Sequence, residues 1–171
     1  MTETATFRDL RVLLADDNSH MRTIVGTILK SLGVREVREA TDGSHAMQAL
    51  RGWPADVAFV DFLMQPMDGV AFTRAVRAGE GGCDAFLPII MMTGHTEMSR
   101  VTEARDAGIT EFIVKPLTTK AVLDRLNAVI FKPRAFIRAS SYFGPNRRRI
   151  TAGPVNVERR GGPPKGLVTE I

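Results

Sequence analysis

Four short polar signatures each close an apolar run. Asp16-Asp17-Asn18 follows RVLLA, Asp61 follows VAFV, Thr93-Gly94 follows PIIMM, and Lys115-Pro116 follows FIV. Asp and Thr serve widely as turn residues and helix caps, and that reading suits any one of these positions taken singly. Five such residues at successive run ends suit it poorly. Gathered on one rim they would present three carboxylates, a hydroxyl and an ammonium. Carboxylates about 4 Å apart repel by roughly 4 kcal/mol per pair at an effective dielectric near 20, so the group calls for a cation. Hard oxygen ligands with room for water suit Mg²⁺ or Mn²⁺ and not zinc. A divalent metal, a lysine and a hydroxyl around one carboxylate are the apparatus of phosphoryl transfer to an oxygen nucleophile.

Other phosphate chemistries lack their residues. There is no Walker A lysine loop and no G-x-G-x-x-G turn after the first run. Phosphatases of the haloacid-dehalogenase type place a second Asp two residues after the nucleophile, where this chain has Leu63. A dedicated enzyme is therefore not the expected reading. Cys83 is the one cysteine, which leaves no intramolecular disulfide and no cysteine zinc site. His20, His45 and His95 lie too far apart in sequence to suggest a metal cluster. Residues 1–10 carry no apolar signal core, and the longest apolar run, Leu87–Met92, is far short of a membrane span. The chain is expected in a reducing cytoplasm, without membrane insertion.

The elements that must hold these residues alternate. Arg11–Ala15 reads as a buried strand, and Ser19 as the cap of a helix carrying Met21, Ile24, Val25, Ile28, Leu29 and Leu32, stopped by Gly33. Val34–Ala40 is a more polar strand, expected nearer an edge, before a short helix over 42–51. Val57–Val60 leads to Asp61 and a helix over 70–78 with Phe72 and Val76 one turn apart. Pro88–Met92 leads to a weakly amphipathic helix over 98–107, closed by Gly108. Phe112–Val114 leads to a last helix, begun at Thr118 or Thr119, with Val122, Leu123, Leu126, Val129 and Ile130 on its apolar side. Continuous apolar strands imply a parallel sheet covered on both faces, and right-handed crossovers then favour a doubly wound five-stranded α/β fold. Ligands in such sheets bind beyond the carboxyl ends of the strands, where the polar signatures lie.

At this point the chain resembles the receiver domain of bacterial two-component response regulators, the CheY-like (βα)5 family. The matching residues are Asp16-Asp17, Asp61 within VDFLMQPMDG, Thr93 within IIMMTGH, and Lys115-Pro116 within EFIVKP, over about residues 9–131. The resemblance implies that Asp61 accepts a phosphoryl group from a histidine-kinase phosphohistidine or a phosphotransfer protein. It implies Mg²⁺ on Asp17, Asp61 and the backbone carbonyl of Leu63, with Asp16 acting partly through water. Thr93 and Lys115 would contact the phosphoryl oxygens, Phe112 would be the aromatic that turns inward when Thr93 moves, and Lys115–Pro116 would be cis. Partners would dock on the face of the fourth helix, fifth strand and fifth helix. Two departures stand out: Pro66 comes one residue later than the usual Pro, and Gly94 replaces the small residue, often Ala, that follows the Thr. Both bear on access to the phosphoryl group, as do Leu63 and His95.

Charge divides the chain. Residues 1–130 hold 14 Lys and Arg against 17 Asp and Glu, a balance of −3, whereas residues 131–171 hold 9 against 2, a balance of +7. The expected boundary is therefore a receiver over 1–131 and an Arg-rich, Pro/Gly-rich extension over 132–171. Without helical or strand periodicity, the extension is expected to be largely irregular and disordered until it binds something. Seven of its nine basic residues are Arg, whose planar fork pairs with guanine edges or phosphate and stacks on rings, beyond what simple charge requires. With Tyr142 and Phe143 this composition suits a small guanine-containing, doubly phosphorylated ligand. It also suits RNA or DNA, or a merely solvated tail. Over Pro133–Arg149, and above all Tyr-Phe-Gly-Pro-Asn-Arg-Arg-Arg at 142–149, the chain resembles the alphaproteobacterial Cle group of CheY-like effectors. That resemblance implies cyclic di-GMP binding through Arg134, Arg138, Tyr142, Phe143, Arg147, Arg148 and Arg149, and a flagellar motor switch protein as partner. A stand-alone signalling receiver is the leading reading; a phosphate sink or relay, and a receiver whose tail binds nucleic acid, are the alternatives.

Overall fold

Alternate residues of β1 (Arg11–Ala15) serve two different cores. Leu13 and Ala15 point to one face of the sheet, where they meet Val60, Phe72, Val76, Met91 and Ala104. Val12 and Leu14 point to the other, against Val25, Leu29, Phe59, Ile90, Val122 and Leu126. That is why the strand is apolar throughout: a parallel strand covered on both faces has no wet side. Each large side chain so buried contributes about 1.5–3 kcal/mol of transfer free energy.

The computed structural model describes residues 7–94 and 99–147, together with the backbone of 168–170. After β1 come α1 (Ser19–Ser31), β2 (Glu36–Ala40), α2 (Gly43–Ala49), β3 (Val57–Asp61), α3 (Gly69–Arg77), β4 (Ile89–Thr93), α4 (Val101–Ala107), β5 (Glu111–Val114) and α5 (Thr119–Phe131). The five strands form one parallel sheet in the order β2-β1-β3-β4-β5. This is the doubly wound (βα)5 arrangement expected from the sequence. The polar β2 takes an edge, and the order reverses at β1 and β3, which leaves a crevice beyond their ends.

Local chemistry differs from expectation in two places. Asn18, not Ser19, caps α1: its side-chain oxygen accepts from the His20 and Met21 amides at 2.9 and 3.2 Å, and Ser19 is already helical. Helix α4 begins at Val101; Met98, where it was expected to start, lies outside the described residues.

The larger correction concerns the extension, in which no strand was expected. Phe136–Ala139 (β6) and Tyr142–Pro145 (β7) pair antiparallel across the two-residue turn Ser140-Ser141, and Val168–Glu170 (β8) runs parallel to β6. What orders the hairpin is the receiver beneath it. Phe136 and Phe143 pack with Phe86, the ring centroids 4.9–5.5 Å apart. The backbones of Gly108 and Gly144 meet: a Cβ on Gly144 would lie 2.9 Å from the Gly108 Cα and 2.6 Å from the Tyr142 hydroxyl. The hairpin thus sits by the start of β4 and β5, at the end of the sheet opposite Asp61. Replacing Gly144 by Ala forces backbone apart, and overpacking of this kind costs about 1–3 kcal/mol. Amide exchange across 136–145 is expected to accelerate about ten-fold or more in that variant, with β1 and β3 unchanged. Unaltered protection of the hairpin would contradict this packing.

Candidate functional site

Because β1 and β3 are neighbours, Asp16 and Asp17 after the one and Asp61 at the end of the other share a rim. One carboxylate oxygen from each lies within 4.8 Å of the others. Asp16 and Asp61 are buried, and Asp17 is exposed. The Asn18 amide donates to Asp16 Oδ1 at 2.9 Å, and the Arg22 guanidinium holds the Asp16 carbonyl at 2.8 Å, so this corner is braced. Gly69 lets the start of α3 close on β3, since a Cβ there would strike the Asp61 carbonyl oxygen and the Met91 sulfur.

Lys115 arrives from the end of β5. Its Nζ lies 2.8 Å from Asp61 Oδ1 and 3.4 Å from Asp16 Oδ2, its amide donates to the Thr93 carbonyl at 2.7 Å, and the Lys115–Pro116 bond is cis. Thr93 ends β4 fully buried, and its Oγ1 has no partner among the described residues. Burial pushes the Asp61 carboxyl up from 3.8 to about 6; the charges of Asp16 and Asp17 add to this, and the hydrogen bond and charge of Lys115 act against it. Burial lowers the Lys115 ammonium, but its bonds and charges with Asp61 and Asp16 outweigh that and hold it above its ordinary value. The result is a carboxylate poised near neutrality, with an ammonium on one oxygen. The three carboxylates are also a fitting donor set for a hard divalent cation.

Leu63 stands two residues past Asp61 in the exposed loop, its side chain about half exposed. Phe112, on β5, is half-buried against the first core, and its carbonyl accepts from Arg125 Nε. His95 lies outside the described residues.

The extension's expected ligand residues are divided. Arg134 Nη2 pairs with Glu111 at 3.2 Å, and Arg147 Nη2 with Asp106 at 2.6 Å. Both line one cleft with Tyr142, whose ring lies 4.6 Å beneath the Arg147 guanidinium. Arg138 stacks instead on Phe143 at 4.8 Å, and Phe143 is committed to the Phe86–Phe136 cluster. Arg148 and Arg149 lie outside the described residues. Sequence reasoning passed over Arg105, Arg125 and Arg77, all in helices that were read through their apolar positions alone.

A family profile, "Response regulator receiver domain", matches residues 12–127. The chain belongs to the response regulator receiver family. Among its relatives, Chemotaxis protein CheY of Pseudomonas aeruginosa is 32% identical over 120 residues, spanning 70% of this chain and 95% of that one. The structure of chemotaxis protein CheY4 of Vibrio cholerae superposes with a TM-score of 0.65 at 32% identity, covering 71% of this chain and 98% of its own. The receiver domain of sensor histidine kinase PA1611 of P. aeruginosa, solved with a magnesium ion coordinated in its active-site cleft, superposes at 0.62 with 28% identity, covering 69% and 94%. Response regulator receivers are thus similar to this chain along nearly their whole length, and the profile match ends before the extension. Among the described residues no helix is long and apolar enough to cross a membrane.

Proposed function

We propose that this receiver takes a phosphoryl group on Asp61 from a histidine kinase or phosphotransfer protein and signals by protein contact. The observation that carries the reading is Lys115 Nζ seated 2.8 Å from Asp61 Oδ1 beside two further carboxylates. An Asp61 oxygen forms the new P–O bond in line as the P–N bond of the donor phosphohistidine breaks, and the imidazole leaves with the electron pair. Lys115 turns from the carboxylate to a phosphoryl oxygen and neutralises charge that Asp61 gives up. The Thr93 hydroxyl, buried without a partner among the described residues, gains an acceptor in another phosphoryl oxygen. Asp16, Asp17, Asp61 and the Leu63 carbonyl would hold Mg²⁺, which when bound neutralises and orients the transferring group. Movement of Thr93 passes to Phe112 on the neighbouring strand and so to the face of α4, β5 and α5. The likeness to proteins named for chemotaxis supports chemotaxis as the setting, and the extension's resemblance to the Cle group supports a flagellar motor switch protein as partner.

The same proposal gives the extension a second input, cyclic di-GMP. Its support is a basic, aromatic surface in which Arg134, Tyr142 and Arg147 converge. Titration of the full chain with cyclic di-GMP is expected to give a Kd in the micromolar range or somewhat tighter. Replacing 147–149 by Lys keeps charge but removes the fork, and is expected to weaken binding about ten-fold or more. Equal affinity in the Lys variant would make recognition purely electrostatic. Preference for random oligonucleotides at physiological salt would replace the dinucleotide with nucleic acid.

A further inference from the structure

Where the hairpin meets α4, the start of β5 and α5, the fold encloses a cleft of about 410 Å³, within the span of small-molecule sites. Arg105 from α4, Arg125 from α5, and Arg134 and Arg147 from the extension all line it, with Tyr142 and Phe112 as its aromatic members. Among the described residues Asp106 and Glu111 are the acidic side chains of the lining, so their formal balance with the four Arg is positive by two. Glu111 and Asp106 pair with Arg134 and Arg147, and the guanidiniums of Arg105 and Arg125 leave a positive surplus that an anion would offset.

Four details say what kind of anion. Arg134 Nε is buried with no acceptor among the described residues, although Nη2 of the same side chain is paired with Glu111. A buried orphan donor is costly, and a ligand oxygen or ring nitrogen would satisfy it. The Arg147–Asp106 pair is about half exposed on both sides, at 51% and 52%. Exposed pairs of this kind are weak and exchange readily for a better acceptor. The Arg147 guanidinium already lies over the Tyr142 ring, 4.6 Å from its centroid, a cation on an aromatic face beside which a planar base can lie. The Arg105 side chain is exposed and makes no hydrogen bond or ion pair among the described residues, so its guanidinium donors are uncommitted. Phosphate oxygens for the forks, together with a planar ring, describe a nucleotide.

We infer that this cleft is the nucleotide site, with Arg105 and Arg125 of the receiver forming one wall and Arg134, Tyr142 and Arg147 the other. The inference rests on the reading of the extension as a cyclic di-GMP sensor and adds to it the receiver's half of the site. It also puts the ligand beside Phe112, where it meets the path proposed for the phosphoryl signal.

Calorimetric titration of the full chain with cyclic di-GMP, GTP and inorganic pyrophosphate, at physiological salt, tests it. Arg105→Gln is expected to weaken cyclic di-GMP binding about ten-fold, the loss of one charge-assisted hydrogen bond, with an unchanged melting temperature. Arg125→Gln should weaken it too, but that change also removes the bond to the Phe112 carbonyl, so Arg105 carries the test. If the parent binds cyclic di-GMP and Arg105→Gln binds it equally well, the cleft is overturned and the sensor reading stands. If the parent ignores cyclic di-GMP but binds GTP or pyrophosphate in a way that Arg105→Gln weakens, the cleft stands and the dinucleotide reading fails. If none of the three binds, both fail.

Discussion

Asp61→Asn is expected to melt above the parent at pH 7, and the gap is expected to close as the pH falls to about 4. Burial, with Asp16 and Asp17 beside it, raises the folded-state value of Asp61 from 3.8 to about 6. Between those values the folded chain keeps a proton that the unfolded chain has released. Stability therefore declines as pH climbs through this window, and the whole penalty is present above pH 6. Two units correspond to roughly 2–3 kcal/mol as an upper figure. Removing the charge should recover about 1–3 kcal/mol, at about 2–4 °C per kcal/mol for a chain of this size. Lys115 is not orphaned by the change, because Asp16 remains 3.4 Å away. Millimolar Mg²⁺ should stabilise the parent by mass action and the Asn variant far less. Thermal scans from pH 4 to 8 check this; a variant less stable than the parent at pH 7 would contradict the account of a strained carboxylate.

Arg77→Met is expected to destabilise the chain by about 3 kcal/mol or more and to release the hairpin, although Arg77 is far from Asp61. Its guanidinium is buried without a carboxylate at ion-pair distance among the described residues. Nε donates to the Gly108 carbonyl at 2.8 Å, and Nη1 to the Ala85 and Leu87 carbonyls at 2.8 and 2.7 Å. Nη2 is 3.5 Å from Thr110 Oγ1, and the Phe136 ring lies 5.0 Å from the guanidinium. Burial lowers its pKa to about 10, which still leaves it charged at neutral pH. One cation thus ties α3, the approach to β4, the α4–β5 turn and the extension. Met fills the volume but takes the donors from three carbonyls, two of them in buried contacts. Lys, lacking the fork, should fall between the two. Urea unfolding measures this directly, and a loss under 1 kcal/mol would remove Arg77 from its central place.

The receiver's architecture was legible because its rules are local. Leu13 and Val60 sit in continuous apolar runs, Gly33 and Gly108 end helices, and polar residues follow each strand. That Asp61 and Lys115 share one rim followed from their places at strand ends; the family resemblance added their roles, which the 53 intervening residues conceal. The hairpin was not legible. Ser140-Ser141 lacks the Asn-Gly or Asp-Gly signal of a two-residue turn, and four-residue strands show too little alternation to register. Its order comes from Phe86, Arg77 and Gly108, none of which the tail's own composition reveals. Arg105 and Arg125 were hidden for a related reason: an exposed arginine on an amphipathic helix looks like any solvated residue until a second element is laid over it.

The most direct test of the central claim is the site of phosphorylation. The full chain is incubated with a small phosphodonor and Mg²⁺, and the label is mapped by mass spectrometry. A single phosphoryl group on Asp61, absent in Asp61→Asn and suppressed by excess chelator, is the predicted result. A label that persists in Asp61→Asn, or forms equally well in chelator, would contradict the account.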